Sequence, residues 1–203
     1  MAAPPISPNL ITALRLPLAP IAVACLLTDQ VWGVVAAAVL ALLLELTDLL
    51  DGWIARAYDV VSDFGKLFDP FSDAFCRFTL FLGLYAVGVA DLWMILVIFY
   101  RDSSVSFLRS IAAVRNVVLA ARPSGKLKAV VQGVGTQLVF ALLVVEKMMP
   151  ELDWVETLPW WVMLVVTAVT AGSFVDYFAG NYRLLRAAWD NEPVGPPTTE
   201  EGA

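Results

Sequence analysis

Long runs of apolar residues alternate with short polar connections along the whole chain. Each run is close to the roughly 20 residues that a helix needs to cross the hydrocarbon core of a bilayer. The six runs are Thr12–Leu27, Val31–Leu50, Phe71–Val89, Leu92–Ala113, Ala129–Met149 and Leu158–Phe178. Because a helix satisfies its own backbone hydrogen bonds in lipid, we predict an all-α integral membrane protein with six transmembrane helices.

Lysine and arginine fall on alternate connections between these runs. The first, third and fifth connections carry none, whereas the second, the fourth and the C-terminal exit carry Arg56, Lys66, Arg115, Arg122, Lys126, Lys128, Arg183 and Arg186. Cytoplasmic loops of membrane proteins are enriched in basic residues. The pattern therefore predicts a multi-pass protein of the inner (cytoplasmic) membrane, with both termini and the second connection on the cytoplasmic side.

The composition agrees with a membrane protein. The chain is 60% hydrophobic and 16% charged, whereas a soluble domain carries about 25% charged residues. We predict one membrane domain over residues 1–189 and a disordered acidic tail over residues 190–203, which are rich in Pro, Gly and Glu. Cys25 and Cys76 lie in apolar runs and are expected to be free thiols.

Four carboxylates stand at the junction of the second and third predicted spans. Asp48 and Asp51 are three residues apart, and Asp69 and Asp73 are four apart, so each pair lies on one face of a helix. Ionisable residues at membrane depth cost roughly 3 kcal/mol each on insertion scales, which makes them functional candidates. The two spans are expected to be antiparallel neighbours whose pairs face each other. The four acids therefore predict a divalent-cation site at the membrane surface.

The chain has no histidine, so a metal site would use oxygen ligands, which favours hard cations such as Mg²⁺, Mn²⁺ or Ca²⁺. Gly52 and Gly65 next to the acids suggest a backbone that a ligand approaches closely. Arg56 follows Asp51 by five residues, and its planar guanidinium could bind a phosphate. Together these residues spell D-x2-D-G-x2-A-R-x8-G-x3-D-x3-D. This motif resembles that of the CDP-alcohol phosphotransferase family.

The resemblance implies a six-helix membrane enzyme, usually a homodimer, that uses a CDP-linked lipid as donor. It implies that Asp48, Asp51, Asp69 and Asp73 bind two divalent cations, Mg²⁺ or Mn²⁺. Asp73 would also act as the general base on the acceptor hydroxyl, which attacks the β-phosphate while CMP leaves. The residues expected to bind the CDP-lipid are Asn9, Thr12, Gly52, Ala55, Arg56, Ser62 and Gly65.

Three further stretches resemble bacterial phosphatidylglycerophosphate synthases, a branch of that family. They are PNLITALR (residues 8–15), YRDSSVSFLRS (100–110), in which Asp102 replaces the usual Glu, and GKLKAVVQ (125–132). Arg101 and Arg109 are eight residues apart within an apolar helix, so they share a face that is expected to look inward. A cluster of cations beside a metal site suits an acceptor that carries a phosphate. The expected acceptor-binding residues are Arg101, Arg109, Lys126 and Lys128.

The expected reaction is therefore transfer of a phosphatidyl group from CDP-diacylglycerol to glycerol 3-phosphate, which gives phosphatidylglycerol phosphate and CMP. A cardiolipin synthase or a phosphatidylinositol phosphate synthase stays open, because phosphatidylglycerol and inositol phosphate also carry a phosphate. A cation transporter is a remote alternative, since it would need polar residues across the membrane or paired broken helices. Membrane lipid is an expected partner, and nucleic acid is not.

Overall fold

A computed structural model describes residues 8–57, 63–115 and 122–190, with side chains throughout except at residues 8, 51–57, 63 and 66. The described part is helical. Its helices are α1 (Pro8–Leu26), α2 (Val31–Ala57), α3 (Asp63–Ala86), α4 (Leu92–Val114), α5 (Pro123–Met148), α6 (Asp153–Gly180) and α7 (Tyr182–Trp189). The predicted all-α class is confirmed. The predicted tail beyond Asp190 lies outside the described residues.

Within the part of the chain that the structure describes, four helices are long and apolar enough to cross a membrane. These candidate spans are Asn9–Leu26, Val31–Leu50, Pro123–Met148 and Asp153–Gly180. The helices α3 and α4 coincide with the other two predicted runs, but each carries several charged residues within its length. The chain is therefore a multi-pass membrane protein, and the count of six spans stays a prediction.

The helices pack side by side in the order α3, α1, α2, α5, α6 and α4. Some neighbours approach closely, since a Cβ added at Gly135 of α5 would lie 2.5 Å from the side chain of Val166 in α6. The helices α3 and α4 stand at the two ends of this order and face each other. They touch only sparsely and leave a groove of about 700 Å³ between them. This order corrects one expectation. The helices α2 and α3 make few direct contacts, because α1 packs against both.

The main hydrophobic core fills the centre of this arrangement. Its largest fully buried side chains include Phe81, Leu84, Met94, Ile95 and Phe140. A smaller cluster joins α4, α6 and α7, and Leu184 is the residue by which α7 is anchored there. The helix α7 was not predicted, because one short amphipathic helix has too few apolar residues to stand out as a run. Cys25 and Cys76 are free thiols, as predicted.

Candidate active site

Three of the four predicted metal ligands converge on one arginine. The Nη1 atom of Arg15, on α1, lies 2.7 Å from Oδ1 of Asp48 on α2 and 3.7 Å from Oδ1 of Asp69 on α3. Its Nη2 atom lies 3.5 Å from Oδ1 of Asp73, one turn further along α3. Arg15 therefore joins the acids of α2 to those of α3.

Hydrogen bonds from α3 fix the position of α1 at this site. The hydroxyl of Ser72 donates to the backbone carbonyl of Thr12 at 3.2 Å, and the thiol of Cys76 contacts the carbonyl of Arg15 at 3.4 Å. Both donors stand within one turn of Asp73, and Thr12, Ser72 and Cys76 are all buried. The backbone that carries Arg15 is thus attached directly to the helix that carries two of the acids.

The three aspartates are half-buried, and Oδ1 of Asp69 is itself inaccessible. The exposed fraction of the side chain is 27% for Asp48, 51% for Asp69 and 38% for Asp73, against 3% for Arg15. A second arginine, Arg77, pairs with Asp73 at 2.8 Å along the same helix face. The i,i+4 spacing of Asp73 and Arg77 on one helix accounts for this pair. The site therefore combines three partly exposed acids with the buried Arg15 and the half-buried Arg77.

The other residues predicted to bind metal or CDP-lipid lie on the first turns of α1 and α3, on the last turns of α2, or outside the described residues. Asp51, Gly52, Ala55 and Arg56 lie on the last turns of α2, and their side chains are outside the description. Ser62 also lies outside the described residues. Gly65 is in the first turn of α3, and Asn9 and Thr12 are in the first turns of α1. Their binding roles stay predictions.

The donors at this site suit a hard divalent cation. Carboxylate oxygens are the ligands that Mg²⁺ and Mn²⁺ prefer, and a positive group, the guanidinium of Arg15, already lies where three of these carboxylates meet. Among the side chains that the structure describes, no three acids are close enough together to chelate an ion. The chemistry of the donor set fits a cation, and the guanidinium of Arg15 lies between the carboxylates that would hold it.

A second polar cluster connects α4, α5 and α6. Both oxygens of Asp102 accept from the ammonium group of Lys128, at 2.8 and 2.9 Å, and Oδ1 also accepts from Nη1 of Arg101 at 2.8 Å. The Nε atom of Arg101 donates to the hydroxyl of Ser173 at 3.0 Å. Arg101, Lys128 and Ser173 are buried. Asp102, which replaces the Glu of the resembling stretch, is thus the acid that two buried cations share.

The four predicted acceptor-binding cations do not all meet at this cluster. Arg109 and Lys126 are exposed, so the expectation that Arg101 and Arg109 share an inward face is wrong. Arg109 instead lines the groove between α3 and α4, because that pair of helices does not close over it. The same groove is lined by Arg77 and Asp102, and it therefore runs from the partner of Asp73 to the second cluster.

Two sets of ion pairs in the structure, those of Arg15 and the pair of Arg122 with Asp176, were not predicted from the sequence. Arg15 is not among the residues predicted for the site, although it ends the PNLITALR stretch, three residues after Thr12. A bidentate pair joins Arg122 to Asp176 at 2.8 and 2.7 Å, and Ser124 donates to the same carboxylate. Because Arg122 and Asp176 are 54 positions apart, this pair could not be inferred from the sequence.

Comparison with known proteins gives a consistent result. The family model for CDP-alcohol phosphatidyltransferase matches residues 5–172. A Bacillus subtilis protein named CDP-diacylglycerol–glycerol-3-phosphate 3-phosphatidyltransferase is 30% identical over 195 residues, which cover 89% of this chain and 97% of that protein. A Treponema pallidum protein of the same name is 39% identical over 94 residues, 46% of this chain and 44% of its own length. A Mycobacterium tuberculosis protein named probable phosphatidylglycerophosphate synthase is 34% identical over 135 residues, 62% of this chain and 61% of that protein.

Proposed function

Because the chain belongs to the CDP-alcohol phosphatidyltransferase family, we propose that it transfers the phosphatidyl group of CDP-diacylglycerol to glycerol 3-phosphate. The products are phosphatidylglycerol phosphate and CMP. The names of the Bacillus and Treponema relatives support this choice of substrates. The observation that carries the proposal is the convergence of Asp48, Asp69 and Asp73 at the junction of α1, α2 and α3.

The family generally depends on divalent cations. In this proposal Asp48, Asp51, Asp69 and Asp73 hold two of them, Mg²⁺ or Mn²⁺, which supply neutralisation of the diphosphate charge and of the charge that develops during transfer. Asp73 also accepts the proton of the acceptor hydroxyl. Its ion pair with Arg77 at 2.8 Å restrains the rotation of the carboxylate that takes this proton.

The donor is proposed to bind along the ends of α1, α2 and α3. Arg56 contributes a guanidinium for a phosphate of the CDP group, and the other proposed contacts are Asn9, Thr12, Gly52, Ala55, Ser62 and Gly65. The acyl chains of CDP-diacylglycerol stay in the lipid beside the bundle. The reacting phosphate therefore meets the acids at the surface of the membrane, where the carboxylates are exposed.

The acceptor phosphate is proposed to bind at the Asp102 cluster and the groove. Arg101 and Lys128 each carry a positive charge and share a single carboxylate, so this buried group has one surplus positive charge that an anion would balance. Arg109 and Lys126 are exposed and act at the entrance. The groove supports this arrangement, because its lining extends from Arg77, the partner of Asp73, to Asp102.

The membrane arrangement belongs to the proposal as well. The helices α3 and α4 are proposed to cross the bilayer with the four candidate spans, which gives six spans with both termini in the cytoplasm. The alternation of basic residues supports this orientation. The active site then faces the cytoplasm of a cell whose inner membrane holds the protein, and the enzyme is proposed to be a homodimer.

The test is an assay of the purified full-length protein with CDP-diacylglycerol and Mg²⁺ or Mn²⁺. Four acceptors are offered separately: glycerol 3-phosphate, inositol phosphate, serine and phosphatidylglycerol. We expect CMP release with glycerol 3-phosphate and a product with the mass of phosphatidylglycerol phosphate. Turnover with inositol phosphate or phosphatidylglycerol alone would instead identify one of the alternative synthases.

A further inference from the structure

Arg15 combines deep burial with an unusual set of neighbours. Its side chain is 3% exposed, and three carboxylates from two other helices lie within 4 Å of its guanidinium. A charge that is removed from water in this way is tolerated only when opposite charges compensate for the lost hydration. The acids themselves are far more exposed than Arg15.

The balance of charge explains what Arg15 contributes. Asp48, Asp69 and Asp73 bring three negative charges into a small volume, and Arg77 contacts only the last of them among the ion pairs described. Asp69 and Asp73 are one turn apart on α3, a spacing at which like charges repel. Among the ion pairs of the described side chains, Arg15 is the one cation that reaches all three carboxylates, and it connects Asp48 on α2 to the acids of α3.

The backbone around Arg15 is also held by contacts that do not involve its ion pairs. The residues Ser72 and Cys76 of α3 contact the carbonyls of Thr12 and Arg15. These contacts come from the same turns of α3 that bear Asp69 and Asp73. The part of α1 that carries the guanidinium is therefore held against the same helix that carries Asp69 and Asp73.

Resting on the divalent-cation site of the proposed function, we propose that Arg15 is a positioning residue that holds Asp48, Asp69 and Asp73 in place when no cation is bound. A divalent cation uses the same carboxylate oxygens, so it competes with the guanidinium for them. Two consequences follow. Without Arg15 the fold depends on added cation, and the cation binds more tightly because a competing positive charge is gone.

The experiment compares the full-length wild-type protein with Arg15→Gln in detergent. Thermal unfolding midpoints are recorded in EDTA and across a titration with Mn²⁺, with no lipid substrate present. We expect Arg15→Gln to unfold about 8 °C below wild type in EDTA, because a buried cation among acids is lost. Added Mn²⁺ should restore most of this difference, with an apparent Mn²⁺ affinity about tenfold higher than in wild type.

Arg122→Gln is the matched control. It removes another arginine that pairs with an aspartate, at a place where no other acid converges with Asp176 among the pairs described. Its loss of stability should be the same in EDTA and in Mn²⁺. If Arg15→Gln behaves like this control, with a deficit that Mn²⁺ does not reverse, or if it unfolds like wild type in EDTA, the proposal is overturned.

Arg15→Lys keeps the test decisive should Arg15→Gln fail to fold. Lysine retains the charge but has one ammonium group in place of the planar fork. A midpoint in EDTA within a few degrees of wild type supports a role through charge, whereas a loss larger than that of Arg122→Gln overturns it. If the wild-type midpoint does not respond to Mn²⁺ at all, the cation site itself is wrong. If Mn²⁺ raises the unfolding midpoint of wild type and the Arg15 variants respond in the same way, the role of Arg15 is overturned and the cation site is retained.

Discussion

The site around Arg15 and the Asp102 cluster both combine aspartates with basic residues. Acids outnumber cations at the first, and cations outnumber the acid at the second. Around Arg15, three carboxylates meet two guanidiniums, and the exposed fraction of those carboxylates ranges from 27% to 51%. Around Asp102, whose side chain is 22% exposed, two buried cations share one carboxylate. We propose that the first site takes up cations from its surroundings and that the second takes up an anion. The groove between α3 and α4 connects them.

The comparison predicts the largest effect at Asp73. Replacing it with Asn removes a ligand and the proposed base, so CMP release should fall by about a thousandfold or more. The measurement is turnover with CDP-diacylglycerol and glycerol 3-phosphate, with the thermal midpoint recorded alongside. Asp190→Asn is the control, because Asp190 pairs only at the surface with Arg186 in the described ion pairs. Retained turnover in Asp73→Asn would remove this residue from the reaction.

At the second cluster, the expected effect of losing the acid is on stability. Asp102→Asn leaves Arg101 and Lys128 buried without their shared charge, which should lower the free energy of unfolding by about 3 kcal/mol. Asp102→Glu keeps the charge, so its loss should be below about 1 kcal/mol. Denaturation of both variants in detergent checks this. Equal stability of Asp102→Asn and wild type would show that the cluster is not held by its charges.

The buried and the exposed cations of the proposed acceptor site are expected to affect the KM for glycerol 3-phosphate to different extents. Arg101→Ala should raise the KM for glycerol 3-phosphate about thirtyfold, since a buried charged hydrogen bond is worth roughly 2 kcal/mol. Arg109→Ala, at the exposed lining of the groove, should raise it only about threefold because exposed charge pairs contribute less. Neither should change the KM for CDP-diacylglycerol by a similar factor. The reverse order would place the acceptor phosphate in the groove instead of at Asp102.

The sequence was informative where spacing along one helix decides the outcome. The pairs Asp48/Asp51 and Asp69/Asp73 follow helical periodicity, and the pairing of Arg77 with Asp73 could be inferred for the same reason. Contacts between different helices were harder to predict from the sequence. Nothing in a single sequence indicates that α1 packs against both α2 and α3 and brings Arg15 among the acids.

The acceptor side shows the same limit. A helical spacing of eight residues puts Arg101 and Arg109 on one face, but it does not say whether a neighbouring helix covers the whole of that face. In the structure α6 covers the part near Arg101, where Ser173 accepts its hydrogen bond. The part near Arg109 faces the open groove. Packing between helices, which periodicity does not encode, therefore decides which cation is buried.

Asp48, Asp51, Asp69 and Asp73 are proposed to hold the divalent cations that phosphatidyl transfer needs, and turnover after exhaustive chelation shows whether such cations are required. Purified full-length protein is assayed with CDP-diacylglycerol and glycerol 3-phosphate in EDTA, and again after Mn²⁺ or Mg²⁺ is restored. We predict a loss of about a thousandfold in EDTA and full recovery on adding the cation. Undiminished CMP release in the chelated protein would contradict the account.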